Sequence, residues 1–148
     1  MNELRDLYEE VILDHNRNPR NFPKRPDPLT HSAKGHNPLC GDQVEIHLTV
    51  TDGVIADVGF EGDGCAISTA SASMMTEALK GKTVEEARAL FERVHHLLTD
   101  EEASADTDIG KLAVLTGVRE YPMRVKCATL AWHTLVAALE GGDAATTE

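Results

Sequence analysis

Alternating apolar and polar residues predict a β-hairpin in the first half of the chain. Residues 43–50 and 54–61 both show the period-two pattern of strands that bury one face. Asp52-Gly53 between them is a strong signal for a two-residue hairpin loop. Val44, Ile46, Leu48 and Val50 are expected on one face of the first strand, and Val54, Ala56, Val58 and Phe60 on one face of the second.

Apolar residues at helical spacing predict helices before and after this hairpin. A capping box formed by Thr83 and Glu86 opens one of them, and a helix rich in small residues follows Cys65. Residues 16–39 hold several prolines and are expected to form an extended arm, whereas the tail 141–148 is expected to fray. The predicted helices cover residues 3–15, the segment from Cys65 to Gly81, the segment opened by Thr83, residues 108–116 and residues 125–140.

These elements predict a single domain over residues 1–148 with an α+β fold, in which helices pack on one face of a small antiparallel sheet. A chain of 148 residues suits one hydrophobic core, and its hydrophobic fraction of 41% is ordinary for a globular domain. No apolar run reaches the ~18 residues that a membrane span needs. The charged first residues do not resemble a secretory signal, so a cytoplasmic location is expected.

The formal net charge of −11 is unevenly distributed along the chain. Residues 1–38 hold six Lys/Arg and six Asp/Glu, whereas residues 39–148 hold eight Lys/Arg and nineteen Asp/Glu. An acidic surface of this kind repels phosphate groups. Nucleic acid and anionic membranes are therefore excluded as the main partners, while the neutral N-terminal part could still dock on a protein.

The chain has three cysteines, Cys40, Cys65 and Cys127. An odd number argues against a disulfide framework and leaves buried structural thiols, a metal site and a reactive thiol as alternatives. A two-residue hairpin loop would pair Thr51 with Val54, so that the numbers of opposed residues sum to 105. Because 40 and 65 also sum to 105, Cys40 and Cys65 would face each other if this register continues.

The surroundings of these cysteines are compatible with a shared metal site. Asp42 lies two residues from Cys40, so on an extended segment it points to the same side and offers a carboxylate oxygen. Cys65 and Cys127 are each predicted to stand at a helix start, where the helix dipole favours thiolate over thiol. Taken alone, Cys127 would be interpreted as a buried hydrophobe and Asp42 as a solvated turn residue. Their combination favours a joint metal or thiolate site.

The seven histidines provide no predicted ligand. His47 falls on the polar face of its strand, where exposure to solvent is expected, and His95-His96 fall on an exposed helix end. His133 lies six residues after Cys127, on a different side of the same predicted helix. The predicted ligands are therefore thiols and one carboxylate.

Four motifs occur in order along the chain: LYEEVILDHNRNPRN, NPLCGD, GDGCAIS and RVKCATLAW. Together they resemble the iron–sulfur cluster assembly proteins of the NifU N-terminal/IscU-like superfamily over residues 3–140, and most closely its SufU branch. IscU-type scaffolds have a histidine directly before the third cysteine, where this chain has Lys126. The 61 residues between Cys65 and Cys127 also match the longer spacing of SufU-type proteins.

The resemblance implies a zinc-dependent sulfur carrier, or sulfurtransferase, that works with other iron–sulfur assembly proteins. Cys40 would accept persulfide sulfur from a SufS-type cysteine desulfurase, and Arg124 would be an auxiliary cation near it. Two alternatives stay open: an IscU-like scaffold that holds iron or an iron–sulfur cluster, and a metal-stabilised binding module without chemistry. The implied zinc ligands are Cys40, Asp42, Cys65 and Cys127.

Overall fold

Four helices and four strands make up the described parts of the chain. A computed structural model describes residues 3–38, 41–99, 122–141 and 144–146, together with the single positions 112, 115 and 118. Cys40 and most of the predicted helix over 108–116 lie outside the described residues. The helices are α1 (Glu3–Arg17), α2 (Ala66–Leu79), α3 (Val84–Thr99) and α4 (Pro122–Leu139). The strands are β1 (His31–Asn37), β2 (Asp42–Thr51), β3 (Val54–Asp63) and β4 (Ala144–Thr146).

The strands form one sheet in the order β3-β2-β1-β4. The first three strands pair antiparallel, and the short β4 adds parallel to β1. α2 and α4 pack against the sheet, α1 packs against α2, and α3 packs against α4. This arrangement confirms the predicted α+β fold with helices on one face of a small sheet. No helix in the described part of the chain is long and apolar enough to cross a membrane.

β1 corrects the prediction that residues 16–39 form only an extended arm. The strand buries Ala33, Gly35 and Asn37 rather than large apolar residues, so its sequence carries no hydrophobic alternation. The small residues are needed because α4 crosses close to the strand. A Cβ atom on Gly35 would lie 1.9 Å from Thr134 Oγ1. β4 likewise corrects the expectation of a frayed tail, because residues of that tail pair with β1.

A β-bulge changes the register of the predicted hairpin. Thr51 pairs with Val54 as expected, but Thr49 pairs with Asp57, so opposed numbers sum to 106 from there to the end of the ladder. The bulge also turns Ile55 into the core and leaves Ala56 exposed, contrary to the predicted faces. The predicted pairing of Cys40 with Cys65 relied on an uninterrupted register, which this bulge breaks. Cys40 itself lies outside the described residues.

The segment after α1 packs along β3 and the outer face of the sheet. Asn21 O accepts a hydrogen bond from Phe60 N at 3.0 Å, and Lys24 N donates to Phe60 O at 3.2 Å. Beneath this cover His47 is fully buried and contacts Ser32 Oγ and Glu61 Oε1, each at 2.9 Å. The prediction that His47 is solvated was wrong, because no local pattern in the chain indicates that the proline-rich segment covers this face.

α3 and α4 begin with different signals. Thr83 and Glu86 form the predicted capping box at the start of α3, with reciprocal hydrogen bonds of 2.9 and 3.0 Å. α4 begins at Pro122, three residues before the predicted start at Val125. Proline suits the first helical position, because its missing N–H has no partner to lose there. Cys127 consequently lies inside α4 and not at its start.

Candidate metal centre

Three metal-ligating side chains meet where the inner face of the sheet ends against α2 and α4. One donor atom each from Asp42, Cys65 and Cys127 lies within 4.8 Å of the other two. The three residues come from the start of β2, the residue before α2 and the interior of α4. The fold therefore brings together three of the four ligands that the resemblance implied.

Asp42 is the candidate ligand whose surroundings most directly indicate a cation site. Its side chain is 5% exposed, and its Oδ1 atom accepts a hydrogen bond from Cys65 N at 3.0 Å. Its Oδ2 atom is buried and has no hydrogen-bond partner within the described part of the chain. Such an orphaned carboxylate oxygen is costly unless a cation or a donor satisfies it. The donor set of two thiols and one carboxylate oxygen is one that zinc accepts.

Cys65 is the N-cap of α2, as the sequence predicted. Its backbone is extended, with φ −69° and ψ 172°, and its Sγ atom accepts a hydrogen bond from Ser68 N at 3.4 Å. The free N–H groups of a helix start stabilise a thiolate at this position. Gly62, three residues before Cys65, has φ 134°, and a Cβ atom there would lie 2.3 Å from Gln43 O. A glycine is thus required where the chain leaves β3 and turns towards the site.

Cys127 reaches the site by a different route from the predicted one. It is the sixth residue of α4 and is 6% exposed, so the unpaired N–H groups of the helix start lie one turn away from it. The helix dipole weakens beyond the first turn. Instead, the side chain of Asn37 approaches, with Nδ2 4.0 Å from Cys127 Sγ. Asn37 is fully buried at the end of β1 and pairs in register with Asp42.

Asn37 was missed by the sequence analysis because β1 itself was missed. Once β1 and β2 are known to pair, an amide five residues before Asp42 in a tight connection becomes an evident neighbour of the site. Gly41 N also donates to Asn37 O at 2.8 Å across this connection, and Gly41 has the positive φ of 79° that favours glycine. Cys40 belongs to the same connection by its place in the sequence and lies outside the described residues.

Two basic residues precede Cys127 on α4. Arg124 is exposed in the first turn, and Lys126 is half-buried directly before Cys127. Arg124 precedes Cys127 by three residues, so the two residues share one side of the helix. Positive charge on this side of the helix partly offsets the negative charge that ionised thiols and a carboxylate would bring to the site.

Comparison with known proteins identifies the family. The model of the NifU-like N terminal domain matches residues 7–128, which is most of the chain. The chain belongs to this family. The NifU-like match includes all four implied ligands, from Cys40 to Cys127.

Relatives of this NifU-like chain carry two kinds of name. The zinc-dependent sulfurtransferase SufU of Bacillus subtilis is 41% identical over 143 residues, which cover 95% of this chain and 96% of that protein. The iron–sulfur cluster assembly scaffold protein IscU of Thermotoga maritima is 42% identical over 137 residues, which cover 90% and 93%. A crystal structure of a candidate scaffold protein for the SUF system from Fervidobacterium islandicum superposes with a TM-score of 0.81 at 35% identity, covering 90% of this chain and 97% of that one.

Proposed function

We propose that this protein is a zinc-binding sulfur carrier in iron–sulfur cluster assembly, which accepts persulfide sulfur from a SufS-type cysteine desulfurase. The observation that carries the proposal is the convergence of Asp42, Cys65 and Cys127 around a buried carboxylate oxygen that lacks a hydrogen-bond partner in the described residues. The similarity to the SufU of Bacillus subtilis over nearly the whole of both chains supports the choice of chemistry.

Zinc would be held by Asp42 through Oδ2, by the Sγ atoms of Cys65 and Cys127, and by Cys40 as the fourth ligand. Oδ1 of Asp42 is already occupied by Cys65 N, which leaves Oδ2 for the metal. Bound zinc would keep the coordinating thiols deprotonated at neutral pH. The hydrogen bond from Ser68 N to Cys65 Sγ and the approach of Asn37 Nδ2 to Cys127 Sγ would orient two of the thiolates.

Cys40 is the proposed sulfur acceptor. Its thiolate would attack the terminal sulfur of the desulfurase persulfide, the sulfur–sulfur bond would break, and the desulfurase cysteine would leave as a thiolate. The other two cysteines suit this role less, because Cys65 caps α2 and Cys127 is buried inside α4. Cys40 lies in a connection of four residues between paired strands, next to Gly41. Arg124 would steady the thiolate or Asp42 through its charge.

The test is sulfide release by the desulfurase with cysteine as substrate, with and without this protein, alongside metal analysis. The purified protein should be colourless, contain about one zinc ion per chain and accelerate the desulfurase. The Cys40→Ala variant should give no acceleration. Asp63→Ala, which removes an exposed carboxylate at the same end of the sheet, serves as the control and should behave like the wild type. A protein that binds no zinc or leaves the desulfurase unchanged would contradict the proposal.

The second candidate function is a scaffold on which an iron–sulfur cluster is assembled. The IscU of Thermotoga maritima is about as similar in sequence as the SufU relative, which favours this alternative. Three thiolates and a carboxylate could hold iron as well as zinc. Reconstitution with iron and sulfide decides between the two functions: a stable cluster with visible absorption, transferable to an apo-protein, supports the scaffold, and its absence in a zinc-loaded active protein supports the carrier.

A further inference from the structure

α2 carries buried serines whose hydroxyl groups need partners. Ser71 and Ser73 are both fully buried on this helix. A buried hydroxyl without a hydrogen bond is destabilising, so each indicates a specific contact. Ser73 turns towards the N-terminal part of the chain, where its Oγ atom contacts His15 Nδ1 at 2.7 Å and accepts from Arg20 N at 2.8 Å. Ser71 turns towards α4 instead.

Two hydrogen bonds of Ser71 link the two helices beside the site cysteines, and we call this pair of hydrogen bonds the clip. The Ser71 hydroxyl donates to Ala128 O at 2.5 Å and accepts from Trp132 Nε1 at 3.2 Å. Ala128 directly follows Cys127, and Ser71 lies six residues after Cys65 on the other helix. The clip therefore ties α2 to the backbone of α4 beside one thiol and less than two turns from the other.

The position of α2 relative to α4 decides whether both thiols can bind one ion. Two thiolates on a tetrahedral zinc ion lie about 3.7 Å apart, given zinc–sulfur distances of about 2.3 Å. The donor atoms of Cys65 and Cys127 are already within 4.8 Å of each other. A slide between the helices of about 1 Å would move one thiol out of coordinating distance, because metal sites tolerate shifts of only about 0.5 Å. A directional hydrogen bond restrains such a slide, because it weakens steeply as its geometry departs from linear.

We propose that Ser71 is a positioning residue that fixes the separation of Cys65 and Cys127 for metal binding. This proposal rests on the proposed function in one respect, because the proposed function assigns metal binding to Asp42, Cys65 and Cys127. Ser71 touches neither the metal nor the sulfur and acts through the backbone of α4. The single tryptophan of the chain, Trp132, is part of the same clip and reports on it by fluorescence.

The experiment compares Ser71→Ala with Ser73→Ala, which removes an equally buried hydroxyl from the same helix. Both variants are expected to unfold at lower urea concentration than the wild type. Only Ser71→Ala should lower zinc affinity, by about tenfold or more in competition with a chelator, as losses of supporting hydrogen bonds at metal sites do. It should also shift the absorption bands of the cobalt-substituted site. Ser71→Thr, which keeps the hydroxyl, should match the wild type in both properties. If Ser71→Ala does not fold, Trp132→Phe, which removes the second hydrogen bond to Ser71 Oγ, takes its place.

The results separate a positioning role from a merely structural one. Equal zinc affinity in Ser71→Ala and the wild type, or an equal loss in Ser73→Ala, would overturn the proposal. A readout without metal is the rate at which a short bifunctional thiol reagent links Cys65 to Cys127 in a Cys40→Ser background. We expect this rate to fall several-fold in Ser71→Ala and to stay unchanged in Ser73→Ala. If the wild type binds no zinc, the proposed function fails, and the linking rates still decide the role of Ser71.

Discussion

Asp42→Asn should change the stability of the metal-free and zinc-bound protein in opposite directions. The substitution keeps the shape of the side chain and the oxygen that accepts from Cys65 N at 3.0 Å. It replaces Oδ2, a buried atom without a hydrogen-bond partner in the described residues, by an amide NH₂ that can donate to a neighbouring thiol. The metal-free protein therefore loses an unfavourable group and gains a possible hydrogen bond.

The expected magnitudes follow from these contacts. A buried polar atom without a partner costs about 1–3 kcal/mol, so metal-free Asp42→Asn should be as stable as the metal-free wild type or up to about 2 kcal/mol more stable. Zinc at a free concentration of about 100 times its Kd stabilises the wild type by about 2.7 kcal/mol. If the loss of the carboxylate ligand raises Kd about 100-fold, the same zinc concentration stabilises the variant by only about 0.4 kcal/mol.

Urea unfolding with a chelator and with buffered zinc measures both effects on each protein. The zinc-dependent gain in the free energy of unfolding should be about 2 kcal/mol smaller in Asp42→Asn than in the wild type. Without zinc, Asp42→Asn should be as stable as the wild type or more stable. Asp63→Asn, which removes an exposed carboxylate at the same end of the sheet, should match the wild type in both conditions. A variant that is clearly destabilised without metal and gains as much from zinc as the wild type would refute the assignment of Oδ2 as a ligand.

Two further predictions test the packing of α4. Gly35→Ala should lower the free energy of unfolding by about 1–3 kcal/mol, because the new Cβ atom would lie 1.9 Å from Thr134 Oγ1. In urea unfolding, adding Thr134→Ala to this variant should recover part of the loss. A Gly35→Ala variant as stable as the wild type would contradict the close approach. Burial lowers the pKa of His133 below its usual 6.5, and the nearby His95 lowers it further. The unfolded chain therefore binds a proton at a higher pH than the folded protein does, so the stability present above about pH 6.5 should fall as the pH drops below that value. His133→Gln should flatten this fall in thermal unfolding, and an unchanged pH dependence would argue against the shift.

The helices and the first hairpin could be predicted because their signals are local. Apolar periodicity located α1 and α3, the Asp52-Gly53 pair located the turn, and the capping box of Thr83 and Glu86 located the start of α3. β1 could not be recognised because it buries small residues against α4, which is a property of the packed structure. The bulge in β3 and the cover over His47 also arise from contacts between distant segments.

Three of the four predicted metal ligands, Asp42, Cys65 and Cys127, lie together, but partly for reasons other than those the sequence suggested. Cys65 does cap a helix, and Asp42 does lie beside it. Cys127 reaches the cluster from inside α4 and not from its start, and the register that matched Cys40 with Cys65 is broken by the bulge. What the residues alone predicted was the chemistry of the donors. Their convergence depends on how α4 packs on the sheet, which no local pattern in the chain encodes.

The most direct test of the account is to locate the sulfur after reaction with a cysteine desulfurase. The zinc-loaded protein is incubated with the desulfurase and cysteine, the free thiols are blocked, and the digested chain is analysed by mass spectrometry. The account predicts one additional sulfur atom on the peptide that contains Cys40, and none on this peptide in the Cys40→Ala variant. Sulfur found on Cys65 or Cys127 instead, or no persulfide on any of the three cysteines, would contradict it.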